Sequence, residues 1–89
     1  MKLEAAGTDD VVKRLRRIEG QLGGIIRMLE DGRDCADIVT QLAAASKALD
    51  RAGFKLLATG MQQCLTATAD GEPAPMSPAQ MEKLFLSLA

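Results

Sequence analysis

From Cys35 to about Ala69 the sequence runs without a proline and carries apolar residues at Ile38, Val39, Leu42, Ala45, Leu49, Ala52, Leu56, Leu57, Met61 and Leu65. Asp34 is a suitable N-cap for this segment, because a carboxylate there accepts from the free N–H groups of a first helical turn. As a single helix of roughly 34 residues it is about 50 Å long, at about 1.5 Å per residue. The chain has only 89 residues, enough for one domain, 1–89, around one core. One shorter helix cannot cover an apolar face of that length, so a second copy of the chain must supply the missing cover.

The other elements follow from periodicity and punctuation. Val11, Leu15, Ile18, Leu22, Ile25 and Leu29 recur at alternating spacings of four and three, the seam of a helix that packs on other helices. This predicts a helix over roughly 10–30, capped by Thr8, Asp9 or Asp10 and stopped at Asp31 and Gly32. Residues 1–8 lack periodicity and read as a flexible tail. Residues 70–76 form a turn-rich linker with prolines at 73 and 75. Ser77, Pro78 and Gln80 then compose a capping box for a third, short helix with an apolar stripe of Met81, Leu84, Phe85 and Leu88, expected to dock on the other two. The fold class is all-α, a three-helix protomer with a long central helix.

Composition removes whole classes of function. The chain is 47% hydrophobic but only 2% aromatic and has no His, Trp or Tyr. Without His there is no Ser-His-Asp or Cys-His catalytic set and no imidazole metal ligand. With two Phe as the only aromatics, a base-stacking platform for single strands is disfavoured. No acid–base pair or cofactor motif marks an enzyme. No run of 18 apolar residues exists, and Lys2, Glu4, Asp9 and Asp10 interrupt any signal-peptide pattern, so the expectation is a cytoplasmic protein with no membrane partner. In such a reducing compartment two cysteines read as thiols rather than as a structural bridge.

Cys35 and Cys64 are 29 residues apart. On one continuous helix that is about 43 Å, yet at about 100° per residue both fall on nearly the same face. They cannot meet within one chain. Two copies of the long helix paired antiparallel about a twofold axis bring Cys35 of one toward Cys64 of the other. The same register sets Ile38 against Met61, Leu42 against Leu57, Ala45 against Phe54 and Ser46 against Gly53, with the axis between Leu49 and Asp50. Two readings stand together here: a pair of small buried hydrophobes, or an inter-chain thiol site. In the second, Cys35 lies beside the free N–H groups of a helix start, which stabilise a thiolate, and suits the attacking role, whereas Cys64 suits the resolving role.

Lys13, Arg14, Arg16 and Arg17 place four cations within five residues with no acid among them. Lys47, Arg51 and Lys55 recur at spacing four and form a second basic ridge on the long helix. The net charge is only −1. These groups read either as a solvated face or, repeated by symmetry in an oligomer, as a surface matched to a phosphate backbone. Lys13, Arg14, Arg16, Arg17 and Arg51 are the candidate DNA contacts. Gly20, Gly23 and Gly24 weaken the first helix and point to a close approach by another helix or a DNA backbone.

The run RLRRIEGQ from Arg14 to Gln21, the run CADIVTQLAA from Cys35 to Ala44, the pair Leu56 and Leu57, and Gln63, Cys64 and Leu65 together resemble the copper-sensitive operon repressor (CsoR) family of bacterial transcription repressors. The resemblance covers roughly residues 11–66. It implies an antiparallel four-helix-bundle dimer, a dimer-of-dimers homotetramer, and operator double-stranded DNA released when a cysteine site is occupied. Copper-sensing members carry a His four residues before the second Cys; this chain has Gly60 there. In that respect it is similar to the persulfide-sensing branch, the CsoR-like sulfurtransferase repressor. That likeness implies a sensor of persulfides or polysulfides with no cofactor, in which Cys35 and Cys64 of a second copy become linked by a di-, tri- or tetrasulfide. The alternative is a Cu(I)-responsive repressor using the same two thiolates, and a further one is a helical redox or scaffold dimer that binds no DNA.

Overall fold

The Asp34 carboxylate accepts the Ala36 N–H at 3.0 Å and opens a helix that continues unbroken from Cys35 to Ala69. This is α2 of a computed structural model that describes the backbone of residues 1–89 and every side chain but that of Ala6. It is preceded by α1 (Asp9–Glu30) and followed by α3 (Pro78–Leu88). Four threonines fall inside α2, a residue type that weakens helices; the hydroxyls of Thr40, Thr59, Thr66 and Thr68 each donate to the carbonyl four residues back, which keeps them compatible with the helix. Both long helices end on a glycine in the left-handed region, Gly32 at φ 68° and Gly71 at φ 80°. The Arg33 N–H to Met28 and Glu72 N–H to Ala67 bonds then close each end in the Schellman pattern. The Ser77 and Gln80 capping box starts α3 as expected.

α1 and α2 pack antiparallel. Ile25, Ile38 and Ala45, with Met28 against them, make the core cluster at one end. At the other end Asp10 of α1 reaches Lys55 of α2 at 3.8 Å, and Val11 and Ala52 are the buried residues beside that contact. Where the two helices face each other the buried positions recur every seven residues: Val11, Ile18 and Ile25 on α1, and Ile38, Ala45 and Ala52 on α2. That strict spacing is the signature of a coiled-coil seam.

Four expectations change. The single six-residue seam foreseen on α1 is two rows: Leu15, Leu22 and Leu29 are exposed, Leu29 at 61%, because one facing helix fills only one groove of α1. Residues 1–8 are not a free tail. They form a 3-10 turn at Ala5–Gly7 and lie along the C-terminal half of α2, where the Glu4 N–H donates to Gln63 Oε1 at 3.2 Å. Thr8 occupies the N-cap position of α1 but makes no side-chain cap bond, since its hydroxyl donates back to Ala5. The third helix packs along α2, with Phe85 edge-on to Phe54 at 5.7 Å and Leu88 over Gly53, yet none of its residues is buried.

The protomer measures 57 × 25 × 14 Å, with a radius of gyration of 17.1 Å. A compact chain of this length has a radius nearer about 12 Å, and a helix with side chains is about 10–12 Å across, so the molecule is a sheet of helices one layer thick. Accordingly, no large side chain among the described residues is fully enclosed. No helix among them is long and apolar enough to cross a membrane. Ala52, 1% exposed, sets how closely α1 approaches. Ala52→Leu is therefore expected to force the two helices apart and lower stability by about 1–3 kcal/mol, read by thermal or urea unfolding.

Candidate functional site

Cys35 is the first residue of α2 and is exposed; Cys64, near its far end, is 3% exposed. Because α2 is continuous between them, the two sulfurs of one protomer are held about 43 Å apart, at 1.5 Å per residue. The structure thus does not bring this predicted pair together within a chain. Parts of the expected inter-chain register are also already engaged inside the protomer: Ala45 by α1, Gly53 and Phe54 by α3, while Leu57 is buried. Ala45 and Leu57 are thus taken up within the protomer, whereas Leu42, Ser46, Leu49, Phe54 and Met61 remain exposed.

The surroundings of Cys64 are built by segments distant in sequence. One turn before it, Gly60 is buried although it has no side chain. A Cβ placed on Gly60 would lie 3.6 Å from Met76 Cε and 3.7 Å from Leu3 Cδ2. Gln63, beside Cys64, holds the N-terminal segment through the Glu4 N–H. Among the described residues no group of three or more His, Cys, Asp or Glu could hold a metal ion within one chain.

The predicted cations lie along the α1–α2 layer. Lys13, Arg16 and Arg17 are exposed on α1 and Arg14 is half-buried; Arg51 is exposed on α2, next to the Ala52 that packs at the Val11 end. Antiparallel packing therefore brings Arg51 alongside the basic stretch of α1. It also brings Lys55, which the spacing-four ridge had marked without making it a candidate contact. Asp10 sits between them: Arg14 Nε donates to its Oδ2 at 3.0 Å, with Lys55 Nζ 3.8 Å away. The Arg14 hydrogen bond, helped by the charges of Arg14, Lys55 and Lys13, holds the Asp10 carboxyl below its usual range. A Cβ placed on Gly20 would meet nothing within 4 Å outside its own helix backbone, and on Gly23 and Gly24 it would meet only the Arg27 guanidinium nitrogens, at 3.6 and 3.9 Å, so the expected close approach is not made inside the protomer.

The protomer is thus a helical layer with an exposed apolar row on each long helix, a basic edge and two thiols held at opposite ends of one rigid helix, and its relatives are transcriptional repressors. Residues 7–87 match the family model described as "metal-sensitive transcriptional repressor", and the chain belongs to that family, the CsoR family of repressors. Among its relatives, the copper-sensing transcriptional repressor RicR of Mycobacterium tuberculosis is 44% identical over 66 residues, covering 73% of this chain and 69% of that protein. The copper-sensing transcriptional repressor CsoR of Bacillus subtilis is 38% identical over 69 residues, 74% of this chain and 68% of that one. The crystal structure of the copper-sensing repressor CsoR with Cu(I) from Geobacillus thermodenitrificans superposes with a TM-score of 0.78 at 31% identity, over 98% of this chain and 91% of that chain.

A phosphate approaching Arg14 or Lys55 would have to compete with the Asp10 carboxylate for them. Asp10→Asn is expected to tighten DNA binding and steepen its salt dependence, measured by fluorescence anisotropy across a salt series. Because the folded-state carboxyl is the stronger acid, its pairing stabilises the fold above the unfolded carboxyl's pKa and is lost only as pH falls through the folded value. The effect of Asp10→Asn on DNA binding should therefore be constant across the neutral range and shrink in acid.

Proposed function

We propose that this chain is a repressor whose hold on operator DNA is set by Cu(I) bound between Cys35 of one protomer and Cys64 of a second. The observation that carries this is α2 itself: two thiols on nearly one face, at opposite ends of a single rigid helix, meet only when two copies pair antiparallel. The exposed rows Leu15, Leu22 and Leu29 on α1 and Val39, Leu42 and Leu49 on α2 offer the surface for that pairing. The donor set suits the ion. Cu(I) is soft and prefers thiolate sulfur, and two thiolates satisfy it without a carboxylate or imidazole. Each thiol gives up its proton to solvent on binding, so affinity rises with pH. The copper-sensing relatives favour this effector over others. Lys13, Arg14, Arg16, Arg17 and Arg51 are proposed to contact phosphate, and filling the thiol site is proposed to shift one protomer against the other and so alter the spacing of these cations.

One observation favours a second reading, a persulfide sensor. The chain has no His, and Gly60 stands on the face of Cys64 where the copper-sensing pattern has one. In that reading the exposed Cys35 thiolate takes the outer sulfur of a low-molecular-weight persulfide and releases that molecule's thiolate. The Cys64 thiolate of the second copy then attacks the Cys35 sulfur, forms a disulfide and expels hydrosulfide. The buried position of Cys64 suits a thiol that reacts second.

Anaerobic titration of the reduced protein–DNA complex separates the two. Stoichiometric Cu(I) is expected to release DNA from the wild type and to leave DNA bound by Cys35→Ala and by Cys64→Ala. Release by persulfide, with intact masses of cross-linked dimers and no response to Cu(I), would replace the first reading by the second. Separately, Leu22→Glu combined with Leu49→Glu is expected to give monomers by sedimentation velocity and to abolish both effector responses, because the thiols then have no partner.

A further inference from the structure

The C-terminal half of α2, the linker and α3 enclose a largely apolar cleft of about 700 Å³. Its wall at Gly60 is unusual in two respects. The glycine is buried in a helix interior, where it costs about 1 kcal/mol relative to alanine, and the patch it leaves bare is met by the end of Met76, which the linker carries back across α2. Cys64 occupies the same face one turn on. Residues four apart on a helix have Cβ atoms about 5–6 Å from each other, and the Cα–Cβ bond of Cys64 tilts toward the helix N-terminus, hence toward Gly60. A buried thiol thus lies one helical turn along from the bare patch of backbone that the terminal methyl of Met76 and the end of Leu3 cover.

We infer that Met76 is a third sulfur donor to the effector ion, its thioether joining Cys64 of its own chain and Cys35 of a second copy around Cu(I). The inference rests on the Cu(I) reading above. A thioether is soft, like the two thiolates, and carries no proton to lose, so it adds a ligand without adding charge to a buried site. Methionine has three rotatable bonds beyond Cα, and Met76 sits in a linker, so its sulfur can turn to a metal beside Cys64 with little backbone movement. Gly60 leaves room for it: a lone Cβ there would already be in van der Waals contact with the Met76 methyl at 3.6 Å, and a longer side chain growing from it would compete with Met76 for that space. A three-sulfur site would also make up for the nitrogen donor that a chain without His cannot supply.

The test uses the full-length reduced protein loaded with Cu(I) alone. X-ray absorption should show three sulfur neighbours in the wild type and two in Met76→Leu, a swap that nearly conserves volume and apolar character. Competition with a chromophoric Cu(I) chelator should show the variant at least about tenfold weaker, the lower range for loss of even an outer-shell partner. The thermal stability of the metal-free protein should stay nearly unchanged, so that the loss of affinity reports on the metal site and not on packing. In selenomethionine-labelled wild type a copper–selenium distance should be seen, a readout that needs no variant to fold. Two sulfur neighbours and no copper–selenium distance in the wild type overturn the role of Met76 and leave the two-thiolate reading standing. Failure of the wild type to take up one Cu(I) per thiol pair overturns both.

Discussion

Everything in this molecule follows from a mismatch of lengths. α2 has 35 residues and α1 has 22, and α1 lies on α2 only as far as the Asp10 to Lys55 contact. Burial of apolar surface drives packing roughly in proportion to area, so the remainder of α2 has to find other cover. It finds it in pieces drawn from both ends of the chain: the N-terminal segment through Leu3 and Glu4, the linker through Met76, and α3 through Phe85 and Leu88. None of these encloses the helix, and the protomer remains one layer thick.

The single layer accounts for the two unfilled rows. Each long helix has apolar residues wide enough for two neighbours. Within the chain α1 and α2 use the positions that recur every seven residues, Val11, Ile18 and Ile25 against Ile38, Ala45 and Ala52. The parallel rows, Leu15, Leu22 and Leu29 with Leu42 and Leu49, face outward. The same rigid helix that leaves them open also keeps Cys35 and Cys64 at opposite ends, so the two thiols of one chain cannot meet. The basic edge belongs to the same layer: antiparallel packing brings Lys55 of α2 to the basic stretch of α1, and Asp10 holds both Arg14 and Lys55.

Much of this was legible from residues alone, and the reasons are local. The Asp34 cap, the absence of proline up to residue 72, the glycines past each helix end and the Ser77 capping box act within one helical turn. Periodicity likewise marked α1 correctly as a packing helix, but it could not say which of its leucines and isoleucines faced α2. A spacing of alternating three and four does not distinguish one broad seam from two narrow ones. The distance between the thiols was readable because a continuous helix converts sequence separation into length. The path of residues 1–8 and of the linker was not, since Leu3 and Met76 carry no periodic signal and find Gly60 only through the completed fold.

The residues by themselves determined an all-helical chain, the span of its long helix, the opposed placement of two thiols on it and the presence of a basic stretch, because each depends on spacing along one element. The tertiary structure decided which apolar row is buried, that Lys55 joins the cations of α1, that Asp10 restrains them, and that Met76 and Leu3 close over the bare backbone next to Cys64. Those outcomes depend on how separate segments share the limited surface of α2, a competition settled by packing area and not by any local sequence preference.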